Sequence, residues 1–466
     1  MTPTIHQGQP PADAPHTPVA IVGAGACGLT ASLMLADAGI ECVVLERDAA
    51  PAGSTALSSG FIPAAGTLAQ KRRRVEDSPE QFARDIQAKA HGTAAAHLVQ
   101  AYSQAIGPAL DALAQRHGIE FELLEGFLYP GHSALRMHAV PEKTGAALMT
   151  RVLRAAEHAG VTLLVQAVAH ELWIEPAQRE VTGVGYQRPD GRIEWLRCDA
   201  LLLACNGFGG NPALVRELLP EMANATFAGH SGNDGSAIAW GRSLGARLAD
   251  LGGYQGHGSW ATPHGVLVSW ALMMEGAIQV NREGRRFHDE TQGYSEAAVQ
   301  VLAQPGGIAW NIFDSALLDF GRGFPDFRDA EASGAVRSAP DVAALAALIG
   351  CDAQQLSATL DAVQPGGFGP DGRSFRRALA APFHAVKVTG ALFHTQGGLD
   401  IDASCRVLQQ DGSAWRNLLA AGGAARGVSG NAVWGYLSGN GLLSAVAGGA
   451  IAANTLAALL ASKENT

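Results

Sequence analysis

Apolar runs closed by glycines recur along this chain and set out its elements. Val19-Ala20-Ile21-Val22 is short, apolar and ended by Gly23, the pattern of a buried strand. Leu29 to Ala38 is built of good helix formers, and Gly39 is a natural residue to stop that helix. Val43-Val44-Leu45 is a second apolar run and leads into Glu46. Residues 79–118 carry apolar side chains at helical spacing (Phe82, Ile86), with a break predicted at Gly107-Pro108. Glu120 to Tyr129 reads as a strand and Tyr129-Pro130-Gly131-His132 as a turn. Arg136 and His138 follow on a strand whose alternation puts them on one face, as a surface pair or as part of a site.

The same pattern predicts an amphipathic helix over 144–159, a strand over 161–168 and a hairpin through Pro189-Asp190-Gly191. Asp199 to Cys205 is a buried strand running into Asn206-Gly207-Phe208-Gly209-Gly210. A parallel sheet delivers backbone to a ligand at its carboxyl edge in this way. From Gly252 the periodicity weakens. A hairpin is predicted over 276–287 and short helices over 312–375. A Gly-rich edge (391–399), a buried strand (417–423) and an apolar helix (442–460) complete the chain.

Chemistry enters at the first βα turn. Gly23, Gly25 and Gly28 form G-x-G-x-x-G between strand and helix. Gly23 permits the tight turn, Gly25 lets backbone approach a pyrophosphate, and Gly28 lets helix pack on strand. The pyrophosphate sits on the helix N-terminus, where free N–H groups and the dipole favour an anion. Glu46 lies 18 residues beyond Gly28, where an acid accepts from ribose hydroxyls. The competing reading is a Gly-rich turn that binds nothing, and the fingerprint alone does not separate FAD from NAD(P). Gly53-Ser54-Thr55 and Ser59-Gly60 offer donors and close backbone approach, as a cofactor loop or an ordinary polar one.

Composition narrows the class. A chain of 466 residues is long enough for two domains. Residues 18–251 and 395–466 are expected to form one nucleotide domain, interrupted by an inserted domain over 252–394. Hydrophobic content of 47% with 16% charge predicts a well-buried globular protein. A net charge of −10 argues against a nucleic-acid partner. Lys71-Arg72-Arg73-Arg74 reads as a solvated loop. The six cysteines are scattered without C-x-x-C, which disfavours a metal site or disulfide framework and fits a reducing, cytoplasmic compartment. Residues 1–17 have no signal-peptide pattern and are expected to be disordered. Residues 427–462 lack charge but are rich in small residues, so their helix is expected to be buried rather than to span a membrane.

Jointly the motifs resemble the flavoprotein subunit family of fumarate reductase and succinate dehydrogenase, in the soluble branch that also holds 3-ketosteroid Δ1-dehydrogenases. The matching stretches are the Gly23–Gly28 fingerprint with Glu46, Gly53-Ser54-Thr55, Ala204–Gly210 and Gly232-Asn233-Asp234-Gly235. They continue with 280–287, His394-Thr395-Gln396-Gly397-Gly398-Leu399, Ala420-Ala421-Gly422-Gly423 and Gly439-Asn440-Gly441-Leu442. The resemblance implies an α/β fold. A Rossmann-like FAD-binding domain, split in sequence, would carry an inserted α+β capping (substrate) domain. It implies FAD contacts from Gly23, Gly25, Ala26, Gly28, Glu46, Arg47, Gly53, Ser54, Thr55, Ser59, Gly60, Val168, Ala204, Gly207, Asp234, Gly422, Gly423, Asn440, Gly441 and Leu442. Residues 51–62 hold no His for covalent attachment, so non-covalent FAD is expected. Gly423 stands where the family has an acid for the ribityl chain.

Departures from the family pattern bear on the reaction. The positions of two substrate and proton-donor arginines fall on Tyr294 and Tyr436, and those of a proton relay on Trp270 and Met273. His257 and His394 match substrate-contacting histidines. The two tyrosines resemble those of the ketosteroid dehydrogenases, where one abstracts the α-proton of a ketone. The other, with a backbone N–H (here near Asn440), binds the carbonyl oxygen. The alternative is that both tyrosines only pack the pocket. His394 is read as orienting substrate or a tyrosine, or as a structural hinge residue. Tyr129, Arg136 and His138 are candidate wall residues, and Arg136 could hold a substrate carboxylate.

The expectation is an FAD-dependent desaturase acting on a small, cyclic ketone, because the inserted segment is short for a steroid enzyme. The partner is an unidentified electron acceptor. The alternatives are an ene-reductase of the fumarate or urocanate type and a non-catalytic flavoprotein. A reductase would need an electron donor, and the sequence has no C-x-x-C-H or flavinylation segment.

Overall fold

The computed structural model describes residues 4–125, 128–366 and 372–464. The apolar runs become strands of two separate sheets. The chain accordingly divides into two units: Met1–Leu218, Gly229–Tyr254 and His394–Thr466 form the first, and Leu219–Ala228 with Gln255–Phe393 the second.

In the first unit, His16–Val22 is the centre of a parallel core. It pairs with Cys42–Leu45 on one side and with Ile193–Leu203 on the other. Thr162–Leu164 extends the sheet in parallel beyond Cys42–Leu45. The 11-residue strand Ile193–Leu203 changes partner along its other edge. Ile193–Arg197 pairs antiparallel with Glu180–Gln187, through the predicted hairpin. Leu201–Leu203 then pairs in parallel with Leu418–Ala420, which arrives more than 200 residues later. That pairing joins the last part of the chain to the first. The fingerprint helix Ala26–Asp37 packs on the C-terminal helix Asn440–Glu464, and Ala96–His117 packs beside it. Within the C-terminal helix, Asn440–Lys463 is long and apolar enough to cross a membrane. More than half of its most apolar window is buried inside the protein, as in a core helix.

Four expectations are corrected here. Residues 4–17 are ordered: Thr4–Gln7 pairs in parallel with Glu171–Ile174. His6 stacks on Trp173 and Thr182 donates to the Gly8 carbonyl, so β-forming residues meet an open sheet edge. The helical stretch 79–118 breaks at 90–95, between Pro79–Lys89 and Ala96–His117, and Pro108 lies inside the second helix. A Cβ at Gly107 would sit 2.4 Å from the Ala65 carbonyl oxygen, so the Gly-Pro pair marks a close approach instead of a stop. Only Glu122–Leu123 of the strand expected over 120–129 forms, and Gly126 and Phe127 lie outside the described residues. The turn at Asn281–Arg285 is present, but Ile278–Val280 pairs with Trp310–Ile312, not with residues 286–287.

The second unit is a mixed sheet built around the long strand Phe383–Thr395, covered by short helices. Three of those helices start at an Asp whose carboxylate accepts an N–H of the first turn (Asp314, Asp341, Asp352). Thr226–Phe227 pairs with Ala391–Leu392. That pairing is why residues 219–228, which the sequence reading places with the first domain, cluster with the second. The helix Tyr294–Leu302 lies tight on this sheet. A Cβ at Gly258 would come within 2.6 Å of Ala297, and one at Gly390 within 2.5 Å of the Ala298 carbonyl oxygen.

Candidate active site

The first unit gathers the fingerprint residues at the carboxyl edge of its parallel strands. Gly23 adopts φ +108°, and a Cβ at Gly28 would lie 1.9 Å from the Gly23 carbonyl oxygen, so both glycines are required by the turn. Gly25 begins the helix without a side-chain cap, and no acidic residue stands in the first turn. The positive helix end is therefore left for an anion. Ala26 N donates to Thr55 Oγ1 at 3.2 Å, which ties the 53–57 turn to the fingerprint. Glu46 is buried and its carboxylate accepts from Ala24 N (3.0 Å) and Asp48 N (2.9 Å). Two N–H groups leave it lone pairs for ribose hydroxyls.

Around this turn the loops are bound to one another. Arg47 Nη1 donates to Gly232 O (2.8 Å) and Asp234 Oδ2 (3.1 Å). Ser54 Oγ accepts from Asn206 Nδ2 and Asn233 Nδ2 at 3.0 and 2.9 Å. Gly207, just past Ala204, abuts Thr395, whose Oγ1 accepts from Phe208 N at 3.2 Å. Gly60 N is bound to Ser58 Oγ, and its φ of +72° seats it against Thr144, so Gly60 is packed while Ser59 is exposed. Beside Arg47 and Val168 an open cleft of about 420 Å³ continues the cradle, lined also by Gln166, Gln187 and Arg188. Gln187 and Arg188 were not foreseen: the Pro-Asp-Gly turn signals the hairpin but not where its tip lies.

At the other end of the cradle stands the N-terminus of Asn440–Glu464, next to Gly422 and Gly423. Asn440 Nδ2 donates to Ser429 Oγ (2.9 Å), and Ser429 Oγ donates to Gln396 Oε1 (2.9 Å). Gln396 Nε2 lies 3.2 Å from His394 Nδ1. His394 meets Tyr436 edge to face, with centroids 5.6 Å apart. Burial pushes the His394 imidazole down to about 4. Asn440 Oδ1 and Ser444 Oγ are buried with no hydrogen-bond partner among the described residues. Buried polar atoms of this kind call for a partner from outside the chain, such as a water or a ligand. Together with the helix start at Gly441 and Leu442, they suit the polar edge of a flavin.

The second unit places Tyr294 at the first position of its helix, after Gly293 at φ +143°. His257 is sandwiched between Tyr294 (4.9 Å) and Phe393 (5.5 Å), with Trp270 edge-on at 5.8 Å. Ser259 N donates to His257 Nδ1 at 3.1 Å, so the proton of the neutral ring sits on Nε2. Burial pushes the His257 imidazole down to about 3. Trp270 and Met273 are buried and apolar, with Trp270 Nε1 donating to Glu290 O.

The candidate wall residues fare differently. Arg136 is buried; it is bidentate to Asp77 (3.0 and 2.9 Å), bonded to Asp85 (2.6 Å) and stacked over Phe82. Neither a surface pair nor a carboxylate clamp describes it, because its guanidinium is committed to carboxylates of the chain itself. His138 is buried too, between Thr67 Oγ1 (2.9 Å) and Arg136 O (2.8 Å). Tyr129 is half-buried, edge-on to Phe61.

Comparisons with known proteins agree with this geometry. The NADH:fumarate oxidoreductase of Klebsiella pneumoniae is 26% identical over 88% of this chain, which spans only 45% of that relative's length. The 4-oxocyclohexanecarboxylate 2-dehydrogenase of Sinomonas cyclohexanicum is 24% identical, with 87% of each chain covered. The open conformation of a flavocytochrome c3 fumarate reductase superposes with TM-score 0.81 at 24% identity, covering 96% of this chain and 79% of that one. A 3-ketosteroid-Δ4-(5α)-dehydrogenase from Rhodococcus jostii RHA1 gives 0.78 at 23%, covering 97% and 99%. At those identities the two structures establish the shared fold. The family described as FAD binding domain matches residues 18–442. With a cradle whose glycines, buried acid and unpartnered polar atoms fit the cofactor, this chain belongs to the FAD binding domain family and is an FAD-dependent oxidoreductase.

Proposed function

We propose that this protein is a desaturase that introduces a C=C bond α,β to the carbonyl of a small cyclic ketone. The observation that carries the reading is the placement of Tyr294: it opens a helix, stacks on a neutral histidine, and has apolar Trp270 and Met273 in place of a proton relay. FAD, when bound, supplies the hydride-accepting ring. Tyr294 takes the α-proton as general base. The Tyr436 hydroxyl and a backbone N–H near Asn440 donate to the carbonyl oxygen and stabilise the enolate. His394 orients the ketone from beside Tyr436, and His257 supports the Tyr294 ring. Fumarate chemistry needs bidentate arginines for two carboxylates, and tyrosines cannot replace them. The Sinomonas dehydrogenase, by its name, acts on a cyclic keto acid, and this chain covers most of its length. That relative supports a cyclic ketone over a steroid.

An ene-reductase is the second reading, favoured by relatives named as reductases for fumarate and urocanate. The test is anaerobic. FAD-loaded protein is mixed with 4-oxocyclohexanecarboxylate, cyclohexanone or 4-androstene-3,17-dione, and bleaching of the flavin band is followed. Dithionite-reduced protein is mixed with fumarate or urocanate, and reoxidation is followed. Bleaching by a cyclic ketone, lost in Tyr294→Phe and Tyr436→Phe with FAD retained, is the expected result. Reoxidation by an alkene alone establishes the reductase, and no response to either class leaves a non-catalytic flavoprotein. Wild-type bleaching by Tyr294→Phe overturns the base assignment.

A further inference from the structure

We propose that Gln396 is a positioning residue that sets the tautomer of His394, leaving Nδ1 as an acceptor and Nε2–H as a donor. Hydrogen-bond polarity along the chain of partners dictates this. Asn440 Nδ2 can only donate, so Ser429 Oγ accepts from it at 2.9 Å and must spend its own proton elsewhere. That proton goes to Gln396 Oε1 at 2.9 Å. With its oxygen engaged, the Gln396 amide presents Nε2–H to His394 Nδ1 at 3.2 Å. An N–H facing Nδ1 requires that nitrogen to be bare, so the neutral ring carries its proton on Nε2. The competing partner is the Thr395 carbonyl, 3.3 Å from the same Nδ1, which would favour the opposite tautomer. Gln396 and Ser429 are both buried, so the chain is shielded from water that would scramble it. Gly427 N is bonded to the Gln396 carbonyl and Gln396 N to the Gly253 carbonyl, which anchor the backbone on both sides of the amide.

The consequence for His394 rests on the proposed reaction: as an Nε2–H donor it binds a carbonyl oxygen and does not take up a proton. The tautomer itself does not depend on that reaction, and the experiment separates the two. FAD-loaded protein labelled with [15N]histidine is studied by NMR, with the His394 signals identified by their loss in His394→Asn. The wild type is expected to show a bare Nδ1 and a protonated Nε2. Gln396→Glu reverses the polarity at Nδ1 and is expected to place the proton there. Ser429→Ala, which releases the amide oxygen, is expected to shift the population the same way should Gln396→Glu not fold. Gln396→Met, with no polar atom, is expected to give a mixture. If 4-oxocyclohexanecarboxylate bleaches the flavin, Gln396→Glu should lower the rate of bleaching about tenfold more than Gln396→Met, the worth of one hydrogen bond. A merely structural role would make the two losses equal. A protonated Nδ1 in the wild type, or a tautomer unmoved by both Gln396→Glu and Ser429→Ala, overturns the proposal.

Discussion

Replacing Glu290 with Gln tests how Tyr294 is held. The Glu290 carboxylate is fully buried. It accepts from Arg286 Nε (3.0 Å), Arg373 Nη1 (2.7 Å) and Gln279 N (2.8 Å). Burial pushes its pKa up, but the charge-assisted bonds from Arg286 and the nearby Arg373 outweigh it and hold the group at about 2, against an ordinary 4.5. A difference of that size is worth about 3 kcal/mol of stability at neutral pH. Glu290→Gln keeps the volume but leaves two buried guanidiniums without their shared anion. Removing one partner of a buried pair costs about 3–5 kcal/mol. Both routes give a loss of about 3 kcal/mol. Because Tyr294 follows four residues later, through Gly293, loss of its alignment should accompany loss of stability. The assay is urea unfolding at pH 7 followed by tryptophan fluorescence. The midpoint should fall by about 1–3 M, since slopes are about 1–3 kcal/mol per M. A carboxylate with a lowered folded pKa contributes fully above about 4.5 and loses its contribution as pH falls towards 2. The gap between wild type and Glu290→Gln should therefore narrow between pH 5 and pH 3. A loss under about 1 kcal/mol at pH 7, or a gap that stays constant down to pH 3, would refute the ion cluster as a stabilising clamp.

Arg136→Met strands the fully buried Asp77 and should cost about 3–5 kcal/mol in thermal unfolding while leaving the KM of the folded enzyme for a ketone unchanged. A raised KM with full stability would instead make Arg136 a substrate clamp. Gly441→Ala brings a Cβ to 2.7 Å from His394 Nε2, so the rate of flavin bleaching should fall about tenfold or more with little change in unfolding midpoint. His257 and His394, held at about 3 and 4, stay neutral near pH 7, so bleaching rates should show no titration from either between pH 5 and pH 8. Their folded pKa values lie below an ordinary 6.5, so the unfolded chain binds protons first and stability should decline as pH falls below about 6.5; urea midpoints across that range measure it.

The nucleotide half was legible in the sequence because its signals are short-range. Strand, Gly23 to Gly28, helix and Glu46 lie within 30 residues, and each glycine answers a steric demand made by its immediate neighbours. The split of the domain was legible too, since a buried strand at 417–423 needs a sheet to enter. Arg136 was not legible. Its partners Asp77 and Asp85 lie 59 and 51 residues away, and a strand's alternation does not say which face is covered. The N-terminal strand was missed for the same reason: a polar segment of four residues becomes a strand only when an open sheet edge is brought to it.

By itself, then, the sequence determined that a dinucleotide is bound and which residues could do chemistry, because those depend on residue type and local spacing. The tertiary structure decided which of those residues are committed to one another. Glu290 is claimed by two arginines, and His394 is bound through Gln396 and Ser429 to Asn440. Hydrogen-bond polarity and burial are properties of neighbours in space, and no spacing along the chain encodes them.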